Sequence, residues 1–212
     1  MKDEGGGTVL KKDSFLTRQP GIIGAEKCRQ YALLIPLLRV DGEICMLFEK
    51  RSRNLRRQPG EICFPGGKLE PNESLLECAI RETVEELNIH KDQINILGTG
   101  DIYISPFNLM IHPYVGEIIH YRDTFSLEEV EDIIKVPLDF FRKHPPEVFE
   151  SKLINEPAED FPYDLIPGGI NYPWAKGIHE VLFYRYQDWI IWGMTAQIVR
   201  SIIHLIDEYE IC

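Results

Sequence analysis

The sequence lacks any long apolar run. Nowhere does it hold the roughly 20 consecutive apolar residues that a membrane-crossing helix needs. Its start, Met1 to Gly7, is polar and glycine-rich, without the apolar core of a secretory leader. Positive charge is scarce: 23 Lys and Arg stand against 34 Asp and Glu, for a net charge of −11. That balance argues against nucleic-acid or acidic-membrane partners, which call for a basic face. It leaves a phosphate ligand open, because a divalent metal and a few arginines can supply local positive charge. The five cysteines, Cys28, Cys45, Cys63, Cys78 and Cys212, are odd in number and form no CxxC pair. A disulfide framework and a zinc site are therefore poor readings, and reduced thiols in a cytosol the better one. Cys78 has no local histidine partner and reads as a poor nucleophile. No repeat and no low-complexity segment occurs beyond Gly5-Gly6-Gly7. The expectation is a cytoplasmic protein with a single domain over residues 30–212 and a short extension at 1–29. A homodimer is left open.

What is present reads as a mixture of strands and a few helices, and so as an α/β sandwich. Tyr31 to Leu38 is dense in apolar residues and predicts a buried strand. Asp41-Gly42 predicts a hairpin turn into a second strand, Ile44 to Glu49. Arg51 to Gly60 is a basic loop, and Ile62 to Phe64 a short strand. Ser74 to Leu87 predicts a helix opened by a Ser74/Glu77 capping box. Its core face is expected at Leu76, Ala79, Ile80, Thr83 and Leu87. Strands are expected at Ile94 to Ile104 and Ile111 to Ile119, and a helix from Val136 to His144. Residues 145–177 read as an irregular insertion. Val181 to Tyr186 and Trp189 to Trp192 read as strand, with Trp189 and Trp192 in the core. An amphipathic helix, Thr195 to Tyr209, closes the pattern.

On the first helix Glu82, Glu85 and Glu86 span an arc of roughly 100°, away from the Leu76/Ile80/Leu87 face. Like charges at this spacing repel unless something compensates. A solvated acidic face is the bland explanation. A cation site is the other, and oxygen-only ligands on a rigid helix suit Mg²⁺ or Mn²⁺. The surroundings favour the second. Gly66-Gly67 stand before the helix and permit close backbone approach. Glu73 and Arg81 flank the trio, and Arg81 can orient a carboxylate through charge-assisted hydrogen bonds.

Gly67, five residues, Glu73, seven residues, then Arg81-Glu82-Thr83-Val84-Glu85-Glu86-Leu87-Asn88-Ile89 resembles the Nudix box, G-x5-E-x7-R-E-U-x-E-E-x-G-U. Thr83 stands where a bulky apolar residue is common, and Asn88 where the family has glycine. Asn is the next best residue at a left-handed helix end. The resemblance implies the family's fold, a mixed sheet between helices with the box as a loop–helix–loop. It also implies Mg²⁺ or Mn²⁺ held by Glu82, Glu85, Glu86 and the Gly66 carbonyl, with Glu73 and Arg81 in support.

Upstream, Leu47-Phe48-Glu49-Lys50-Arg51-Ser52, then Arg56, Gly60 and Phe64-Pro65-Gly66-Gly67, resembles the signature of the coenzyme A pyrophosphatase branch, LLTxRSx3Rx3GxxxFPGG. Phe48 and Glu49 depart from its leading LLT. The run Ile191-Trp192-Gly193-Met194-Thr195-Ala196 is similar to that branch too. The resemblance implies a substrate site at Arg51, Ser52, Arg56, Gly60, Phe64, Gly66 and Gly67. Arginine forks suit the phosphates of coenzyme A. The implied reaction is metal-dependent hydrolysis of the coenzyme A pyrophosphate, giving 4′-phosphopantetheine and adenosine 3′,5′-bisphosphate. Glu82 is the first choice for base as well as ligand, with Glu86, Asp164 and Glu180 as alternatives. Two rivals remain: a Nudix enzyme for another nucleoside diphosphate derivative such as ADP-ribose, and a non-catalytic nucleotide sensor. Phe161, Tyr172 and Trp174 could stack on an adenine, but packing of the insertion is the plainer role. His112 and His179 are read as structural or surface residues.

Overall fold

In the computed structural model, which describes residues 16–211, the apolar run around Ile35 is apolar because both sides of it are covered. It forms β1 (Arg29–Val40). The glycine-rich start and Cys212 lie outside the described residues. Asp41 and Gly42 both take positive φ, 49° and 88°, and turn the chain into β2 (Glu43–Arg51). β1 also pairs in parallel with β7 (Leu109–Ile118), from Arg29↔Leu109 to Leu37↔Glu117. The other pairings in this sheet are antiparallel, so it is mixed, as expected.

The sheet runs β3 (Ile62–Cys63), β2, β1, β7, β5 (Ile94–Thr99). β4 (Gly66–Lys68) pairs with β1, β6 (Tyr103–Ser105) with β7, and β8 (Val130–Pro137) with β2. Among the described residues three α-helices of more than one turn follow in chain order: α1 (Leu75–Leu87), α2 (Leu138–Lys143) and α3 (Gly193–Glu208). A smaller antiparallel sheet is built from β9 (Glu147–Ile154), β10 (Lys176–Tyr186) and β11 (Trp189–Trp192).

Successive strand residues point to opposite faces, which divides the core. Leu34, Leu38 and Leu47 meet Leu87 and Ile89 at the α1 end, and Ala32 meets Cys78 and Ala79. Ile35, Leu37, Met46 and Phe48 meet Phe141 of α2 and Ile198, Val199, Ile202 and Ile206 of α3. The sheet is thus sandwiched between α1 on one face and α2 with α3 on the other.

Several expectations need correction. The strand expected over Ile94 to Ile104 is two strands on one partner, β7: β5 bulges between Ile96 and Gly98, and the break before β6 follows Gly100, whose N–H donates to the Pro113 carbonyl at 2.9 Å. The helix expected from Val136 begins at Leu138, because Val136 and Pro137 still pair with Met46 and Cys45. The insertion is irregular only in part, since β9 and the start of β10 run through its two ends. The final helix begins two residues early, at Gly193, and ends at Glu208. Trp192 is 41% exposed and stacks on Phe183 at 5.8 Å, outside the core. Trp189, by contrast, is half-buried and packs against the core as expected, with the Lys50 ammonium 5.4 Å from its ring centre. On α1 the sheet-facing side is Cys78, Ala79, Thr83, Glu86 and Leu87, while Leu76 and Ile80 are only half-buried. The acidic stripe therefore does not face away from the core, because Glu86 is part of the buried side. Among the described residues no helix is long and apolar enough to cross a membrane.

Candidate active site

The site is assembled from the start of α1 and the glycine turn that faces it. The Ser74 hydroxyl accepts from the Glu77 N–H at 3.2 Å, and the Glu77 carboxylate accepts from the Ser74 N–H at 2.7 Å. This expected capping box fixes where the helix begins. At the other end Asn88 takes φ 49° and ψ 50°, and its N–H donates to the Val84 carbonyl. The left-handed residue required there is supplied by Asn in place of Gly. Thr83 is fully buried, and its hydroxyl donates to the Ala79 carbonyl at 2.7 Å. That bond makes a hydroxyl tolerable at an otherwise apolar position.

Arg81 organises the acids. Its guanidinium grips Glu73 with two bonds, Nε at 3.0 Å and Nη2 at 2.9 Å. Its Nη1 donates to Glu82 at 2.9 Å and to Glu85 at 3.4 Å. Glu73 also accepts from the Glu70 N–H at 2.8 Å. The Arg81 fork, with that N–H in support, holds the Glu73 carboxyl down at about 2. The Arg81 guanidinium is correspondingly raised by Glu73, with Glu82 adding to it.

Glu86 stands apart from this network. It is 3% exposed, and its carboxylate accepts from the Gly66 N–H at 2.8 Å. Burial pushes its carboxyl well above the carboxylate range, and the neighbouring Glu49 pushes it further. Glu82 is raised by burial against the pull of Arg81. The Glu82 carboxylate lies over Gly67, so that a Cβ on Gly67 would overlap it. A Cβ on Gly66 would come within 2.5 Å of the Ala32 carbonyl. The two glycines thus permit close approach, as their position in the sequence implied.

Glu49 is the residue that motif reading passed over. It lies on β2, 1% exposed, and burial raises its carboxyl. Its Oε1 accepts a weak bond from the Cys63 thiol at 3.4 Å, and its Oε2 has no hydrogen-bond partner. Glu129, just before β8, adds negative charge to Glu49, Glu82 and Glu86. The available signal was a carboxylate directly after the apolar run Ile44 to Phe48 of one strand.

The loop from Arg51 to Gly60 folds back on itself. The Gly60 N–H donates to the Arg51 carbonyl at 3.0 Å, and the Arg51 N–H to the Glu61 carbonyl at 2.9 Å. Gly60 takes φ 76° in this turn. Burial works to lower the Arg51 guanidinium, but Cys63, Glu49 and Glu86 outweigh it and hold it above its ordinary value. The Arg51 Nε donates to the Arg57 carbonyl at 3.4 Å, and its charge acts on Glu49 and Glu86 without an ion pair to either. Ser52 is buried, and its N–H donates to the Glu129 carbonyl at 2.8 Å. Arg56 is exposed and reaches none of the acids. Phe64 faces the core, stacked on Phe48 at 4.7 Å, so its side chain anchors the glycine turn from behind.

Other candidates fall away from this centre. Glu180 pairs with Arg200 at 3.2 Å, and Asp164 sits in the turn Tyr163–Leu165. Neither is bonded to the box. Phe161 and Tyr172 pack on Trp174 at 5.4 and 5.0 Å, as packing of the insertion requires. The Cys78 thiol is buried, donates to the Gly67 carbonyl, and is pushed up by burial to about 12. It is no nucleophile. His112 is held by Gln30 at 2.8 Å. A cavity of about 410 Å³ between α3 and β6 contains Asp101, Tyr103 and Ser201 but none of the clustered acids.

The donor set fits a hard divalent cation. It offers carboxylate oxygens only, and two of the acids are buried so close together that they resist being charged at once. Among the described residues no three of them already stand at ligating distance, since Arg81 holds Glu82 and Glu85.

Residues 29–161, more than half of the chain, match the family model described as NUDIX domain. The chain belongs to the Nudix hydrolase family. Over 134 residues it is 34% identical to peroxisomal coenzyme A diphosphatase NUDT7 of Mus musculus, covering 62% of this chain and 56% of that protein. Over 187 residues it is 31% identical to the Nudix hydrolase NudL of Yersinia enterocolitica, covering 87% and 84%. It is 39% identical over 119 residues to peroxisomal coenzyme A diphosphatase ndx-8 of Caenorhabditis elegans, covering 53% and 50%. The chain thus spans about half the length of these two diphosphatases. A crystal structure of a MutT/nudix protein from Enterococcus faecalis shares the fold, with a TM-score of 0.50, 14% identity, and cover of 92% of this chain and 67% of that one. The Nudix box here is the turn and helix from Gly67 to Ile89, and Glu49 lies outside it.

Proposed function

We propose that this Nudix chain hydrolyses the pyrophosphate linkage of coenzyme A or its thioesters, with a divalent metal. The observation that carries the reading is the placement of Arg51. The loop with the branch's RSx3Rx3G spacing carries this guanidinium within the electrostatic reach of buried Glu49 and of Glu86 in the box. A pyrophosphate lying there meets positive charge from one side and carboxylate-held metal from the other. Two of the relatives are named as coenzyme A diphosphatases.

In this reading Glu82, Glu85, Glu86 and the Gly66 carbonyl hold Mg²⁺ or Mn²⁺. The bound metal supplies charge neutralisation at the pyrophosphate and a more acidic water. Glu73 positions Arg81, and Arg81 in turn sets the direction of Glu82. Arg81 engages Oε1 of Glu82, and Glu82 is assigned both roles, ligand of the metal and acceptor of the attacking water's proton. Arg56 is solvent-facing and unengaged, ready for the ribose 3′-phosphate that distinguishes coenzyme A. Ser52 and Gly60 shape the loop. Residues 30–212 form the catalytic unit, and the cysteine usage supports a cytosolic placement.

The test is turnover of coenzyme A, dephospho-coenzyme A, ADP-ribose and a dinucleoside polyphosphate with Mg²⁺ or Mn²⁺. Coenzyme A should lead, releasing 4′-phosphopantetheine. A charge-assisted contact to the 3′-phosphate is worth about 1.5–3 kcal/mol, or roughly ten- to a hundredfold. Dephospho-coenzyme A should trail by that factor, and Arg56→Ala should close the gap. Preference for ADP-ribose, with no response to the 3′-phosphate, would overturn the substrate and leave the family chemistry standing.

A further inference from the structure

Glu49 is the least accommodated charge among the described residues. It is 1% exposed, on a strand between buried Phe48 and half-buried Lys50. Burying a carboxylate is costly unless every oxygen finds a partner. Oε1 has only the Cys63 thiol, a weak donor, and Oε2 has nothing. Arg51 is close enough to act on it but forms no ion pair with it.

Strand alternation fixes where it points. Leu47 lies on the α1 face of the sheet, packed with Leu87, and Glu49 two residues on shares that face. Its cross-strand neighbours are Cys63 on β3 and Ile133 on β8, and Ile133 packs into the same cluster. Glu86 is the residue before Leu87 and reaches down to the Gly66 N–H, three residues after Cys63. The strand carboxylate and the helix carboxylates therefore meet from opposite sides of one small volume. The coenzyme A branch resembled by this sequence carries threonine at this position, so the branch pattern does not account for a glutamate here.

We propose that Glu49 is a further carboxylate ligand of the cation site, reaching from β2 toward the metal held by the helix acids. The proposal rests on the metal-dependent reading given above. Its unpartnered Oε2 is the oxygen offered to the cation, whose charge would make the burial of both Glu49 and Glu86 tolerable.

The experiment is Mn²⁺ titration of the full chain, followed by the electron paramagnetic resonance of free Mn²⁺, with thermal midpoints in EDTA alongside. Wild type is compared with Glu49→Gln, Glu49→Thr and the control Glu82→Gln. Both Glu49 variants should bind Mn²⁺ more weakly by at least the roughly tenfold that loss of an outer-shell partner costs. Their midpoints in EDTA should match or exceed wild type, because a buried carboxyl with an unpartnered oxygen is gone. Wild-type affinity in both Glu49 variants, with Glu82→Gln weakened, would overturn the proposal alone. Wild-type affinity in all three would overturn the metal reading of the box itself. Weaker binding together with lowered midpoints in EDTA would reduce Glu49 to a structural role and also overturn the proposal.

Discussion

The helices on the two faces of the sheet bury different things. α3 presents Ile198, Val199, Ile202 and Ile206 to the core, and its buried face is nearly all apolar. α1 presents Cys78, Ala79 and Leu87, but among them a threonine and a carboxylate, Thr83 and Glu86. Both helices are amphipathic, α1 lying most closely on β1 and β4 and α3 on β10 and β11. α3 is fitted for stability, since each buried methylene adds favourable transfer free energy. α1 gives up part of that gain to place charge where no water competes. Its compensation is local: a complete capping box, a left-handed Asn at its end, and Arg81 tying down the acids that remain at the rim.

If this contrast is right, the two helices should respond oppositely to substitution. The largest stability loss should come from α3. Ile202→Ala, at a fully buried position, should cost about 2–5 kcal/mol, read as a lower midpoint in urea. Mn²⁺ affinity measured below the transition should stay within about twofold of wild type, because the site is on the other face. A large loss of affinity would show that the two faces are not independent.

A smaller loss is expected where α1 ends. Asn88→Val should destabilise by about 1–2 kcal/mol, because a β-branched residue resists positive φ. Asn88→Gly should be neutral or slightly stabilising. Calorimetric midpoints decide it, and an unchanged midpoint for the valine variant would contradict the observed helix end.

The smallest effect is a dependence on pH carried by α1 and its strand partner. Burial raises the Glu86 and Glu49 carboxyls above their ordinary 4.5. Below that value both folded and unfolded chains hold these protons. Above it the unfolded chain releases them while the folded chain keeps them, so metal-free stability should fall as pH rises through the raised range. Glu73 works in the opposite sense. Arg81 holds it at about 2, so its contribution is present above 4.5 and is lost as pH falls toward 2. In EDTA the midpoint should therefore decline from mildly acidic to neutral pH. Mn²⁺ should oppose that decline, since its ligands must be deprotonated. Metal-free stability that rises over this interval would contradict the assigned burial of Glu86 and Glu49.

The contrast also separates what could be read in the sequence from what could not. The box on α1 was legible because glycine, arginine and carboxylates stand at fixed spacing, and the Ser74 cap and Asn88 end are local chemistry. The direction of its acids was not. Helical periodicity placed Leu76 and Ile80 at the centre of the buried face. Packing of Cys78 and Ala79 on Ala32 places them and Glu86 on the buried side instead, where Glu86 accepts from the Gly66 N–H. β8 was missed because Glu129, Glu131 and Asp132 disguise a strand whose pairing with β2 is set by tertiary contact. β9 was missed because all but one of its residues are exposed, leaving no buried face to mark it. Glu49 was visible only as an exception to a motif. Its meaning depends on β2, β3 and α1 meeting, which no local window contains.

The central claim is that α1 buries charge for function at no gain in stability. Glu86→Gln tests it within one chain. The account predicts that coenzyme A hydrolysis with Mg²⁺ or Mn²⁺ falls at least a hundredfold, while the thermal midpoint in EDTA stays level or rises. Retained hydrolysis, or a midpoint in EDTA that falls along with the activity, would contradict it.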